Sequence, residues 1–399
     1  MKLSMDRVID RRYRALFWPL LLTFLMFGFS MTIIGALLPR ILAEYHWSYT
    51  QAGLVLAGNA FGYFVSTLFA GILIRRFGPK VVIGSGLLLM TVSLALFGRV
   101  SDVVYNLLFN VLIGVGQGAV EVVVNYSMVR MEREGESHLM SFVHAAFSIG
   151  AIAGPSIVAL ILSRHLPWTV AYEITAALCG AIAVLLVLLP FRRLHDHVEE
   201  GTAKTGVRAI FRYPMLILAV SAIFIYVGLE LGVSNWVAEY YFTVFHTPAA
   251  RGAFMVSLFW FGVFTGRTLI PILFRTQRQA EILFSLALLL TLSLFGAIVM
   301  PGPIPAAVFF YLTSLGCSAF YPLVMTVVGR YFASAQSIAV GFAASGGGIG
   351  SLLFPLLMSA VAQSVGIRIG FVVYLVLGAL LSGVAYLVML QLRRSKVMS

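Results

Sequence analysis

Charged residues and cysteines are scarce in this sequence of 399 residues. Only 11% of the residues are charged whereas 60% are hydrophobic, and the mean hydropathy is +0.98. A water-soluble domain cannot bury so large an apolar fraction, so the composition predicts a polytopic membrane protein. Both cysteines, Cys179 and Cys317, lie within apolar runs, which argues against a disulfide framework.

The sequence also lacks the motifs of a nucleotide-driven pump or a metal enzyme. A glycine-rich run at residues 346–350 has no strand pattern before it and no Gly-Lys-Ser/Thr after it, so it predicts close helix packing rather than phosphate binding. Only His144 among the histidines lies well inside an apolar run, which leaves no cluster to bind a metal or activate water. We therefore expect no cofactor, no bound metal and no enzymatic activity. A receptor would be expected to carry a large extramembrane domain, which the distribution of apolar segments does not suggest.

Twelve apolar segments are long enough to cross a bilayer, which needs roughly 20 residues of helix. The longest connection between them, residues 191–213, predicts a cytoplasmic linker between two six-helix bundles at residues 1–190 and 214–399. The predicted fold is thus all-α, with twelve transmembrane helices in two halves. The segments begin near Ala15, Gln51, Val81, Val103, Ser141, Tyr172, Met215, Ala253, Glu281, Ile304, Ser337 and Gly370.

The basic residues are distributed unevenly between the two predicted sides of the membrane. With the N-terminus inside, 21 of the 27 lysines and arginines face the inner side and 5 the outer side, and Arg267 lies within a segment. This asymmetry follows the positive-inside rule and predicts that both termini are cytoplasmic. The formal charge of +12 is therefore a topology signal, and no nucleic-acid partner is expected. No N-glycosylation sequon falls in a predicted outer loop, which fits a bacterial inner membrane.

The two halves resemble each other at a constant offset of 200 residues. An even number of segments per half predicts a parallel repeat about an axis along the membrane normal, with a binding site between the halves near the midplane. The matches include Gly28 with Gly228, Gly62 with Gly262, Arg130 with Arg330, Gly150 with Gly350 and Pro155 with Pro355.

The segment count and one loop resemble the major facilitator superfamily. Its signature between the second and third helices is a Gly, an Asp-Arg pair, a second Gly and basic residues. This loop is similar, with Gly71, Arg76, Gly78 and Lys80, but Arg75 stands where the Asp is expected. The resemblance implies a twelve-helix transporter that works by alternating access.

A finer resemblance, to the fucose:proton symporter branch, rests on four short motifs. It implies proton-coupled sugar transport, although the acid that the sugar symporter has before Leu-Leu-Pro in its first helix is replaced here by Gly35-Ala36. The motifs are Glu121 with Asn125, residues 144–155, residues 226–236, and Gly266 with Arg267.

Three polar side chains, Gln117, Glu121 and Asn125, form a stripe on the fourth segment. Their spacing of four residues puts them on one face of a helix. A carboxyl group at that depth is costly and is seldom retained without a partner or a function. Since burial disfavours the charged form, such a group can take up and release a proton as its access to water changes. We expect Glu121 to be the proton site; a structural hydrogen bond or ion pair is the alternative.

Two further polar residues are expected near Glu121. The resemblance implies that the fifth and eighth helices line the seam between the halves, so His144 and Arg267 are candidates for a proton-coupling relay with Glu121. A histidine with a near-neutral pKa suits that role. The alternatives are that His144 caps a local network and that Arg267 reaches toward the interface or holds a loop.

The seventh segment supplies further candidates for binding the solute. Sugars are bound by aromatic faces, amides and carboxylates in a mainly apolar pocket, and this pattern favours Glu230, Asn235 and Trp236. We expect Glu230 near the outer end of its helix, too high to pair with Arg267. Trp236 could alternatively belong to the interfacial aromatic belt. Asn59 and Tyr321, the counterpart of Glu121 in the repeat, complete the set.

These observations predict a secondary transporter, most simply a symporter of protons and a neutral sugar-like solute. The alternatives are an exporter of amphipathic compounds, which scarce charge and abundant phenylalanine would suit, and a sugar uniporter. The expected partners are the small solute, protons and the lipid bilayer, and the protein is expected to be monomeric.

Overall fold

The computed structural model describes residues 13–131, 138–189, 191, 213–273, 278–332 and 336–397. Within these ranges the chain is helical apart from short turns, and no strand occurs. The helices are α1 (Arg14–Tyr45), α2 (Tyr49–Phe77), α3 (Pro79–Leu96), α4 (Val103–Met131), α5 (His138–Ser163), α6 (Thr169–Leu188), α7 (Pro214–Val244), α8 (Ala249–Leu273), α9 (Gln279–Val299), α10 (Pro303–Ser318), α11 (Phe320–Tyr331), α12 (Gln336–Val365) and α13 (Ile367–Val397).

Twelve stretches of these residues are long and apolar enough to cross a membrane, because α10 and α11 together form a single stretch, Pro303–Tyr331. The predicted all-α fold of twelve transmembrane helices is confirmed. The predicted starts agree closely with the observed ones; the largest difference is at α8, which begins at Ala249 rather than Ala253. An α-helix suits this setting because it satisfies its own backbone hydrogen bonds where water is absent.

Proline and left-handed residues mark the helix boundaries. Proline occupies the first turn of α3, α7 and α10, where its missing N–H costs no hydrogen bond. His46, directly after α1, and His246, two residues after the end of α7, both adopt positive φ, 54° and 50°. These two histidines are 200 residues apart, so the repeat seen in the sequence extends to the backbone of the connecting turns.

The chain divides into two compact units. The first comprises Met1–Tyr45 with Leu54–Glu200, and the second comprises His46–Gly53 with Gly201–Ser399. Helix α2 is continuous, yet its first residues belong to the second unit. The predicted linker over residues 191–213 lies outside the described residues apart from Phe191 and Tyr213, so the bounds of the two bundles stay a prediction.

Equivalent helix pairs hold each unit together through close backbone contact. In the first unit α5 approaches α1 so tightly that a Cβ on Gly150 would overlap the main chain of Leu25. In the second unit a Cβ on Gly350, in α12, would overlap the main chain of Phe224 in α7. Small residues of this kind let membrane helices pack by van der Waals contact, which replaces the hydrophobic driving force available in water.

We expect Gly150→Ala and Gly350→Ala each to destabilise the purified protein, because overpacking a tight helix contact costs about 1–3 kcal/mol. The matched control is Gly84→Ala in α3, where nothing lies within 4 Å of an added Cβ. That change should be neutral or slightly stabilising, since glycine lowers helix stability. Thermal unfolding in detergent measures all three. Equal melting temperatures for the three variants would contradict the packing argument.

Candidate functional site

The polar stripe of α4 faces a matching pair of polar residues on α2. Asn59 Nδ2 donates a hydrogen bond to Gln117 Oε1 at 3.1 Å, and one turn further along both helices the Tyr63 hydroxyl donates to Glu121 Oε2. Asn59 and Tyr63 are four residues apart on α2, as Gln117 and Glu121 are on α4. The two helices therefore present polar faces that run alongside each other. Glu121 therefore has a hydrogen-bond partner within its own unit.

Glycine in α4 makes this match possible. A Cβ on Gly114 would overlap the main chain of Asn59, so the two backbones touch at this point. At such a distance short amide side chains can reach across the helix pair. Gly118 likewise faces Tyr63 on α2, whereas Gly116 faces Met90 on α3.

The network continues from α4 to α1. Gln117 is buried and its Nε2 donates to Ser30 Oγ at 3.0 Å, while the ring of Tyr63 stacks on Phe27 with centroids 6.3 Å apart. We call Ser30, Asn59, Tyr63, Gln117 and Glu121 the first-unit polar cluster. It joins three helices through side-chain hydrogen bonds.

Asn125 lies one turn beyond Glu121 on α4, and His144 lies on α5. Glu121 is partly exposed, whereas Asn125 Oδ1 is buried with no hydrogen-bond partner among the described residues. A buried acceptor without a donor is costly. His144 is exposed and its ring packs edge-on against Phe24 at 5.6 Å.

An ion pair occupies the second unit. Arg267 on α8 lies 3.8 Å from Glu230 Oε1 on α7, and its Nε donates to the carbonyl of Ser318 at 3.1 Å. That carbonyl is available because the residue four positions later, Pro322, has no N–H to donate. The helix accordingly breaks after Ser318, and α11 begins at Phe320. Arg267 thus forms an ion pair with the buried acid and a hydrogen bond with the freed carbonyl.

The expectation that Glu230 lies too high to pair with Arg267 is wrong. The seventh helix has 31 residues and runs on to Val244, so Glu230 is near its middle rather than its outer end. A helix of that length is longer than the hydrocarbon layer is thick. Counting residues from the inner end therefore places Glu230 too near the outer surface of the membrane. The long arginine side chain closes the remaining distance.

Trp236 does not belong to an interfacial belt. Its side chain is fully buried, and its ring lies edge-on to Tyr49 at 5.7 Å. Trp236 Nε1 has no hydrogen-bond partner among the described residues. Asn235, which precedes Trp236 on α7, is partly exposed, and Tyr321 is exposed in the first turn of α11.

The sequence reasoning missed two residues that the structure brings into the first-unit polar cluster, Tyr63 and Ser30, and one buried acid outside it, Glu239. Tyr63 lies four residues after Asn59, the same spacing as the α4 stripe, and this repeated interval was the available signal. Ser30 is the counterpart of Glu230 at the offset of 200. Glu239, buried in α7, is nine residues from Glu230, which places it on a different face. Among the described residues no group of three His, Cys, Asp or Glu side chains could hold a metal ion.

Comparison with known proteins shows the family to which this chain belongs. A family model described as the Major Facilitator Superfamily matches residues 20–313. A glucose/galactose transporter of Brucella abortus is 26% identical over 369 residues, which cover 88% of this chain and 89% of that protein.

Solved structures agree in fold. The fucose:proton symporter of Escherichia coli superposes with a TM-score of 0.65 at 20% identity, covering 95% of this chain and 99% of the symporter. The nucleoside transporter NupG superposes with a TM-score of 0.75 at 15% identity, covering 95% and 98%. The expected resemblance is confirmed, and at these identities the structural likeness concerns the fold alone.

We expect Arg267→Met to destabilise the protein by about 3 kcal/mol, because removing one partner leaves a buried charge uncompensated. Adding Glu230→Gln should recover most of that loss, since a neutral amide needs no cation. Thermal unfolding of the two single variants and the double variant measures the coupling.

The control for this cycle is Arg393→Met. Arg393 pairs with Glu281 at 3.1 Å, but both side chains are largely exposed, at 60% and 41%. An exposed pair contributes roughly 0–1 kcal/mol, so this variant should unfold close to the wild type. A double variant no more stable than Arg267→Met would show that the Glu230 contact carries no energy.

Proposed function

The chain belongs to the major facilitator superfamily of transporters, and we propose that it is a secondary active transporter that moves a neutral sugar or sugar-like solute together with protons. The observation that carries this proposal is the first-unit polar cluster, in which a carboxyl group and amides meet inside membrane-spanning helices. Transport would proceed by alternating access of one site to the two sides of the membrane.

Glu121 is the proposed proton carrier. Its carboxyl lies in a span, is partly exposed, and accepts a hydrogen bond from the Tyr63 hydroxyl. A carboxyl group held in an apolar region changes its charge when water gains or loses access. We propose that His144 and Arg267 take part in the same proton coupling. In each transport cycle Glu121 would gain a proton on one side of the membrane and release it on the other side.

The charge of the proposed site favours a neutral solute. Around Glu121 the polar groups are the uncharged Gln117, Asn59 and Asn125, and in the second unit the charges of Glu230 and Arg267 compensate each other. Amide groups both donate to and accept from hydroxyl groups, so they suit a polyhydroxylated molecule. The Brucella relative is named a glucose/galactose transporter, which supports the same class of solute. Glu230, Asn235, Trp236 and Tyr321 complete the proposed solute-binding set.

The proposed setting is a bacterial inner membrane with both termini in the cytoplasm. The support is the excess of lysine and arginine in loops that this orientation puts inside. The proposed functional unit is a monomer, since both six-helix halves of the repeat are present in one chain.

The proposal is tested by uptake into proteoliposomes under an imposed proton gradient, with a panel of monosaccharides. We expect one or more of them to accumulate and to carry protons. Glu121→Gln should abolish gradient-driven accumulation while sugar exchange continues, because exchange needs no net proton movement. The control is Glu173→Gln, which removes a carboxyl group that is half exposed and pairs with Arg99 at 3.1 Å.

Three results would contradict parts of the proposal. Uptake that ignores the gradient and survives Glu121→Gln would make the protein a uniporter and return Glu121 to a structural role. Absence of sugar uptake, with efflux of amphipathic dyes instead, would make it an exporter. Equal loss in Glu121→Gln and Glu173→Gln would show that the assay reports folding rather than coupling.

A further inference from the structure

A second buried acid of α7, Glu239, lies outside the proposed site. It is nine residues beyond Glu230, about 13 Å along the helix axis, and within the same membrane-spanning stretch. Only 4% of its surface is exposed. A carboxyl group in such a place is expected to have a function or a partner.

The hydrogen bonds of Glu239 are concentrated on one oxygen. Oε1 accepts from the Tyr49 hydroxyl at 3.0 Å and from Thr243 Oγ1 at 2.6 Å. Oε2 is inaccessible and has no hydrogen-bond partner among the described residues. An ionised carboxylate buried in this way would be left largely uncompensated, which costs several kcal/mol. The neutral acid, whose carbonyl oxygen accepts both bonds, fits the same contacts at lower cost.

No cation of the described chain compensates Glu239. The arginines of helices packed against α7 are bonded elsewhere or exposed, and His246 beyond the end of α7 is exposed too. Thr243 and Trp236 on α7 and Gln363 on α12 carry no charge, so the Tyr49 hydroxyl is the titratable group that faces it. The arginine contacts are Arg267 with Glu230, Arg368 with the carbonyls of Ile298 and Met300, Arg330 with Gln279, and Arg393 with Glu281, while Arg251 and Arg394 are exposed.

Tyr49 is itself held by three contacts within the second unit. Its main-chain N donates to Gln363 Oε1 at 2.7 Å, its ring lies edge-on to Trp236, and its hydroxyl reaches Glu239. Tyr49 is the first residue of α2, and only residues up to Gly53 of that helix belong to the second unit. Any movement of this first turn away from α7 therefore removes a donor from Glu239 and uncovers it.

We propose that Glu239 is a second proton-binding carboxyl group, and that Tyr49 ties its protonation to the position of the first turn of α2. With the turn seated, Glu239 holds its proton on Oε2, away from water. When the turn leaves, water reaches the group and accepts the proton, and the carboxylate takes up a proton again before the turn returns. The participation of this proton in transport rests on the proposed function.

Infrared spectroscopy of the purified protein in lipid tests the proton site without any solute. We expect the wild type to show the carbonyl-stretch band of a protonated carboxyl group. This band should be missing in Glu239→Gln, a substitution that keeps the shape of the side chain. Tyr49→Phe should shift this band to higher frequency, because one hydrogen bond to the carbonyl oxygen is lost. The control is Tyr241→Phe on the same helix, whose hydroxyl donates to the Pro303 carbonyl at 2.9 Å.

Two spectroscopic results would overturn the inference. If Glu239→Gln loses no such band at any pH at which the protein is folded, Glu239 does not carry a proton. If the band is the same in Tyr49→Phe as in the wild type, Tyr49 does not govern it.

Transport measurements separate this inference from the proposed function. In proteoliposomes the Glu239→Gln variant should move one proton fewer per solute molecule while solute exchange continues. An unchanged ratio of protons to solute would show that Glu239 takes no part in the transport cycle. A band that behaves as expected in a protein that takes up no sugar would support the proton site and contradict the sugar proposal alone. Proton-coupled sugar uptake without the band would contradict the second proton site alone.

Discussion

The structure depends on one constraint: inside a bilayer, a polar group that water does not reach must find its hydrogen-bond partner in the protein. Helices satisfy this condition for the backbone, so the constraint falls on the few polar side chains that the spans retain. In the first unit Asn59 and Gln117 satisfy each other, and Tyr63 bonds Glu121. In the second unit Arg267 bonds an acid and a carbonyl at once. Several buried polar atoms of the described residues have no hydrogen-bond partner, and Asn125 Oδ1, Trp236 Nε1 and Glu239 Oε2 are among them.

The fold could be predicted from the sequence because hydrophobic length is a property of each segment alone. Twelve segments, their approximate starts and the repeat needed no knowledge of packing. Side-chain partners were harder, since they depend on how two helices are rotated and offset. Gln117 and Glu121 were found because they share a helix face, whereas Tyr63 required knowing which face of α2 turns toward α4. Counting residues along α7 misplaced Glu230 because it assumed that the helix ends at the membrane surface.

The two units show how one scaffold supports two chemistries. Both close an equivalent helix pair through glycine, at Gly150 in one and Gly350 in the other. They differ in the fourth span of each half. Helix α4 is unbroken and carries Glu121 in its interior, whereas its counterpart is interrupted at Ala319. An intact helix presents side chains only, whereas an interrupted one also presents a main-chain carbonyl. Glu121 lies on the intact helix, and Arg267 bonds the carbonyl of the interrupted one.

That interruption has an evolutionary consequence. Pro322 denies the Ser318 carbonyl its usual donor, and the guanidinium of Arg267 supplies the missing one from another helix. An ordinary residue at 322 would compete with Arg267 for the carbonyl, and a short side chain at 267 would leave the carbonyl without this donor. The two positions therefore form a compensated pair, which descendants of this chain are expected to inherit or lose as a unit.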